Sequence, residues 1–288
     1  MSTPAFRVLI YGNQAIFPCQ ELRFKNEIRE KEQRRKSISR STIKLARDSG
    51  TAVVTLDRAD ANNQIDAVMA AEIRELCAEL SAVDSLRVVI LTGSGPVFST
   101  GRDAPASGSQ IAEMQAAKAV ASLPLPVLVA LNGDATDHGL ELALAGDLRV
   151  ADNRAKLGFS PPSAGSFPYD GGTQRLPRLV GPSWAGDMLL TGRLLDSAEA
   201  LSIGLVNRVA GPGEDVLQMA VSLAAEITEG SPLGARYVKE AVSQGGDMTL
   251  GQALGLEADL NVILQSTSDR AEGIASFLGR RTPSFTGE

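Results

Sequence analysis

Histidine occurs once in the 288 residues of this chain, tryptophan once and cysteine twice. A single imidazole cannot build a multi-histidine metal centre. Cys19 and Cys77 are too few and too far apart in sequence to suggest a zinc site or a disulfide framework. Metal catalysis would have to rest on carboxylates alone. No stretch approaches the roughly 20 uninterrupted apolar residues that cross a bilayer, and the N-terminus lacks the apolar block of a secretory signal. The expectation is a soluble, cytoplasmic protein. Aromatics are only 4% of the residues, but 43% are hydrophobic and 22% charged, which suits one large core or two modest ones. Collagen-like, disordered and small disulfide-stapled classes are excluded.

The net charge of −6 is unevenly spread: residues 1–48 carry a local +6, leaving −12 on the rest. A body that acidic lacks the cations to neutralise phosphates, which argues against a nucleic-acid-binding protein. The basic run from Arg29 to Arg40 reads either as a solvated helix or tail, or as a patch for an acidic partner or membrane surface.

Residues 1–41 show no sustained apolar period beyond Val8-Leu9-Ile10-Tyr11, and are expected to form a basic extension, partly disordered or packed on a neighbouring subunit. From Thr42 the pattern is regular. Ile43 to Leu45 and Ala52 to Leu56, split by Asp48-Ser49-Gly50, predict a β-hairpin. Ile65, Val68, Met69, Ile73, Leu76, Cys77 and Leu80 recur at helical spacing. Val88 to Leu91 and Val127 to Ala130 are short apolar runs of strand type, each followed by a glycine turn and a further helical pattern. Such alternation predicts an α/β core over residues 42–212, with sites where loops leave the strand ends. Residues 213–288 read as helical almost throughout, at Leu217 to Ile227, Leu233 to Val242 and Leu250 to Leu264.

Four segments carry more specific information. Leu56-Asp57-Arg58-Ala59-Asp60-Ala61-Asn62-Asn63 is the first. Val88 to Gly93, followed by Phe98-Ser99-Thr100-Gly101-Arg102-Asp103, is the second. The third runs from Pro126 to Lys156 through Asn132-Gly133, Glu141-Leu142-Ala143 and Gly146-Asp147-Leu148. The fourth contains Gly171 to Gly181 and Leu190-Thr191-Gly192, and the chain ends in Arg280-Arg281-Thr282-Pro283-Ser284-Phe285. Taken in this order, the segments resemble the crotonase superfamily, or enoyl-CoA hydratase/isomerase family, over about residues 42–288.

That resemblance implies a crotonase-like spiral of ββα units, with C-terminal helices that build trimers, often stacked as hexamers. It also implies acyl thioesters of coenzyme A as substrates, with no tightly bound cofactor. Its shared chemistry is a thioester enolate stabilised by two backbone N–H groups, which fall on Arg102 and His138. A glycine turn and a helix N-terminus are physically suited to present such donors. Substrate and coenzyme contacts fall on Arg58, Ala61, Gly101, Arg102, Asp103, Ala104, Phe277 and Arg281. Glu141 matches the family's first catalytic glutamate.

Three departures limit what can be carried over. Pro161 stands where hydratases carry their second glutamate, and proline has no proton to give, so a standard β-oxidation hydratase is disfavoured. Asp137-His138-Gly139 replaces three glycines and sets the only imidazole three residues before Glu141, on the same face of a helix. Pro168-Tyr169-Asp170-Gly171 places a carboxylate where hydratases have alanine. Asp170 reads either as a catalytic group or as a helix cap. His138 with Asp170 is similar to the pair in 6-oxocamphor hydrolase and related β-diketone hydrolases, which break a C–C bond by a retro-Claisen reaction without coenzyme A. Asp60 replaces a basic residue beside the coenzyme phosphates, where Arg280 and Arg281 could compensate; Arg102 could pair with a substrate carboxylate. The candidate catalytic residues are therefore Glu141, His138 and Asp170. An acyl-CoA lyase, isomerase or hydrolase is expected first, a diketone hydrolase second, and a catalytically degenerate binding or structural subunit third.

Overall fold

A computed structural model describes residues 40–101 and 107–288. Residues 1–39 of the N-terminal extension, and Arg102, Asp103 and Ala104, thus lie outside the described residues. Ser41–Glu288 form one compact unit.

Strands β1 (Ile43–Asp48) and β2 (Thr51–Leu56) pair antiparallel around Ser49 and Gly50, whose φ values are 46° and 84°. Positive φ at both central residues gives the turn that matches the strands' right-handed twist. Helix α1 (Ala67–Ser81) follows, with the Asp66 carboxylate accepting the Met69 N–H at 2.8 Å as N-cap. The stripe Ile65, Met69, Ile73, Leu76, Cys77 and Leu80 is buried. Val68, which shares the spacing in sequence, lies off the stripe and is 53% exposed.

The chain then alternates between strands and helices. In order come β3 (Val88–Gly93), α2 (Gly108–Met114), α3 (Ala117–Ala121), β4 (Val127–Leu131), β5 (Ala135–Thr136), α4 (His138–Ala143), β6 (Leu148–Ala151) and β7 (Lys156–Gly158). After these come α5 (Gly172–Thr191), broken at Gly181, then β8 (Leu195–Asp196), α6 (Ser197–Ser202) and β9 (Arg208–Val209). Six strands form one sheet in the order β1-β2-β3-β4-β6-β9, parallel from β2 onward, and β5-β7-β8 form a smaller one.

Both faces of the large sheet are covered. Val89, Leu91, Val127, Val129 and Leu131 face the core shared with α1. Alternate residues Val88, Ile90, Leu128, Ala130 and Val150 face α7 (Val216–Thr228) through Ala220, Leu223 and Ala224. Two-sided burial explains why these strands read as continuous apolar runs instead of alternating ones. Helices α8 (Pro232–Gly245), α9 (Leu250–Gln265) and α10 (Ser268–Gly279) complete the helical C-terminal stretch. Among the described residues, no helix is long and apolar enough to cross a membrane.

Two asparagines fix the loop that leaves β3. The Asn63 side-chain amide donates to the carbonyls of Ser94 and Val97, and its oxygen accepts the Arg58 N–H. The Asn132 amide donates to Gly95 and Val97, and its oxygen accepts the Gly93 N–H. Loop 94–98 is held from both sides, which delivers Ser99 to a parallel bridge with Ala135. The end of β3 is thereby joined to the strand that leads into α4.

Candidate active site

Helix α4 starts against that joint. A Cβ on Gly139 would lie 2.1 Å from the Ser99 carbonyl oxygen, so only glycine allows this approach. Gly101 has φ +76°, a conformation glycine adopts without strain, and its N–H donates to the Thr136 hydroxyl at 3.2 Å. As the first residue of α4, His138 has a backbone N–H with no intrahelical acceptor.

Just before it, Asp137 holds φ 50° and ψ −121°, a backbone that favours glycine. Its carboxylate accepts the Ser160 N–H and hydroxyl, each at 2.8 Å, and this clamp holds an otherwise strained residue. Asp137→Ala keeps the strain and loses the clamp, whereas Asp137→Gly relieves the strain. We therefore expect Ala to destabilise by about 1–3 kcal/mol and Gly by less, read from the two unfolding midpoints. A Gly variant less stable than the Ala variant would contradict this account.

The loop before α5 closes over α4. Glu141 is 1% exposed; one carboxylate oxygen accepts the N–H groups of Asp170 and Gly172, each at 2.8 Å, and the other that of Tyr169 at 3.3 Å. Gln115 donates to the Tyr169 carbonyl and Arg175 to that of Asp170. Gly171 has φ +109°, and a Cβ there would strike the Arg175 guanidinium. Burial pushes the Glu141 carboxyl above the usual glutamate range, and the three N–H donors and His138 oppose the shift without cancelling it.

The His138 imidazole is fully buried, and both of its nitrogens are engaged. Nε2 lies 3.1 Å from the Asp170 Oδ2, and Nδ1 lies 3.0 Å from the Tyr169 hydroxyl, with the two rings 4.8 Å apart. Asp170 Oδ2 also accepts the N–H groups of Ala116 and Ala117 at 2.7 and 2.8 Å. It therefore caps the start of α3 and not the helix that follows it in sequence, whose N-cap is Gly171.

The three residues singled out for catalysis, Glu141, His138 and Asp170, are thus together. Tyr169 is the member that sequence reasoning passed over. Its signal was its place in Pro168-Tyr169-Asp170-Gly171, next to Asp170, and the two neighbours meet the His138 ring at its two nitrogens. Asp137 also went unassigned, its left-handed backbone being invisible in composition. Pro161 packs against Gly192, where a Cβ would lie 2.5 Å from its ring.

Each described residue among the expected coenzyme contacts has its own local setting. The Arg58 guanidinium is tied to Asp66 at 2.7 Å and to the Gln64 carbonyl at 2.8 Å. Ala61 ends a single 3₁₀ turn, Ala59–Ala61. Phe277 on α10 is 83% exposed. Arg281 forks onto Glu272 with two contacts of 2.6 Å, which draws the Glu272 carboxyl down to about 2. Among the described residues, no three His, Cys, Asp or Glu side chains gather at metal-binding distances.

Comparison with known proteins places the chain. The family model for enoyl-CoA hydratase/isomerase matches residues 46–288. A probable enoyl-CoA hydratase of Mycobacterium tuberculosis is 34% identical over 256 residues, covering 85% of this chain and 98% of that protein. The (E)-benzylidenesuccinyl-CoA hydratase of Thauera aromatica is 35% identical over 254 residues, covering 85% and 99%. The crystal structure of an enoyl-CoA hydratase from Bacillus anthracis superposes with a TM-score of 0.82 at 32% identity, covering 86% of this chain and all of that one. The fold is accordingly the crotonase-like α/β fold, and the chain belongs to the enoyl-CoA hydratase/isomerase family of enzymes, the crotonase superfamily.

Proposed function

We propose that the protein acts on an acyl-CoA thioester, with coenzyme A entering as part of the substrate, and stabilises the enolate through the backbone N–H groups of Arg102 and His138. Glu141 is the acid/base. The observation that carries this proposal is the buried Glu141 carboxyl, one helical turn from the N–H that opens α4, with a proton affinity raised by burial. A carboxyl whose proton affinity is raised by burial is better suited than an exposed one to take a proton and return it. The hydratase names of its relatives support the thioester as substrate class. With Pro161 supplying no second carboxyl, the enzyme is an atypical hydratase or isomerase. We also propose a homotrimer or hexamer, supported by exposed apolar residues on the C-terminal helices, among them Val242, Val262 and Leu278.

A second proposal is a retro-Claisen hydrolase of a cyclic β-diketone, favoured by the 3.1 Å contact between His138 and Asp170. Turnover of purified protein on a panel of CoA thioesters and cyclic β-diketones separates the two. Hydration of crotonyl-CoA is expected to run about 10²-fold or more below that of a two-glutamate hydratase, because one general acid–base group is missing. A rate equal to such an enzyme would remove the significance given to Pro161.

A further inference from the structure

Every polar atom of the His138 ring is occupied, so the imidazole itself cannot reach a substrate without breaking one of its contacts. The proton positions follow from donor and acceptor counting. Backbone N–H groups can only donate, so Asp170 Oδ2 is an acceptor for Ala116 and Ala117. It accepts from His138 as well, which places a hydrogen on Nε2. In the neutral ring Nδ1 is then the acceptor, and the Tyr169 hydroxyl is the donor. Asp170 and His138 are buried, whereas Tyr169 at the other end is only partly so. The Tyr169 backbone N–H meanwhile rests on Glu141. Three residues thus form a line running from an interior carboxylate, through an imidazole, to the phenol of a residue whose backbone contacts the proposed acid/base.

We infer that Tyr169 is a further catalytic residue, a general base and acid whose proton is relayed to His138, with His138 and Asp170 as its positioning residues. This rests on the proposed enolate chemistry. In the forward step the phenol O–H bond breaks and its proton passes to Nδ1, while the phenol oxygen takes the proton from the carbon next to the substrate carbonyl. The electron pair of that C–H bond stays on the substrate as the enolate. The imidazolium formed faces the Asp170 carboxylate, which stabilises it, as buried acid–imidazole pairs generally do. Reprotonation reverses each transfer, and no other reactant is consumed. Tyr169 so provides a second proton-transfer group in a chain that has proline at the second glutamate position.

Two measurements test this. Because the chain has one histidine, the ¹⁵N resonances of its ring in untagged, labelled protein belong to His138 without assignment. We expect a protonated Nε2 and an unprotonated Nδ1, and a displaced Nδ1 resonance in Tyr169→Phe, which keeps the ring contact and deletes the hydroxyl. The same variant is assayed on whichever CoA thioester or cyclic β-diketone of the panel the wild type turns over fastest. There kcat should fall about 10²-fold or more with KM changed less than about threefold, since a transition-state interaction is removed. A resting His138 with its proton on Nδ1, or a Tyr169→Phe enzyme within about threefold of the wild-type kcat, overturns the assignment. Which compound the wild type accepts decides the thioester proposal separately, because the Tyr169 comparison is a ratio on that same compound.

Discussion

Glu141→Gln is expected to lower kcat by about 10²-fold or more on the best substrate, with the fold intact. Glutamine has the shape of glutamate, and its oxygen can accept the Asp170 and Gly172 N–H groups as the carboxylate does. What it cannot do is carry a proton to and from the substrate. The weaker contact from the Tyr169 N–H, at 3.3 Å, would then meet an amide NH₂, a small local loss. If the carboxylate served only to order the loop before α5, the glutamine enzyme would keep most of its rate, and that result would remove Glu141 as the acid/base.

Stability should move with pH in a direction that the same residue dictates. Because burial raises the Glu141 carboxyl in the folded state, the folded protein binds more protons than the unfolded chain as pH climbs through and above the ordinary glutamate range. Ionising this group therefore disfavours folding, and its contribution falls with rising pH until the folded carboxyl is fully ionised. Glutamine does not titrate. The difference in unfolding free energy between Glu141→Gln and wild type should accordingly shift in favour of the variant between acid and neutral pH. A pH-independent difference would show that the carboxyl is not raised.

Much of the fold was readable because its signals are local. The Ser49-Gly50 turn, the buried stripe of α1 and the apolar runs of β3 and β4 each lie within a few residues and report their own conformation. Glu141, His138 and Asp170 were singled out for another reason: two lie one turn apart on a helix, and all three interrupt or keep a recognisable pattern. What could not be read depends on long-range meetings. Asp170 appears in sequence to sit just ahead of α5, yet its oxygen bonds Ala116 and Ala117, more than fifty residues earlier. Tyr169 gains its importance only when the loop before α5 folds over α4, and the strained Asp137 only when Ser160 supports it. The likeness to the family spoke for the backbone, and the replacements within it acquired meaning from side-chain geometry.

Asp170 has two duties that substitution can pull apart. Removing the carboxylate in Asp170→Ala strands the N–H groups of Ala116 and Ala117, both fully buried, and the Nε2 hydrogen of His138. An unsatisfied buried donor costs about 1–3 kcal/mol, so the alanine protein should lose roughly 3 kcal/mol or more of unfolding free energy. That is a large part of the 5–15 kcal/mol, about, that holds a typical domain together. Asp170→Asn behaves differently. Its carbonyl oxygen, placed where Oδ2 lies, accepts all three hydrogens, and denaturant unfolding should find it within about 1 kcal/mol of wild type. Its charge is gone, however, and an imidazolium formed during turnover then faces a neutral amide in a site shielded from water. Its kcat should fall by about 10²-fold or more while its stability is nearly kept. An asparagine enzyme that is both stable and fully active would reduce Asp170 to a cap for α3, and would leave Glu141 to move protons without the His138 relay.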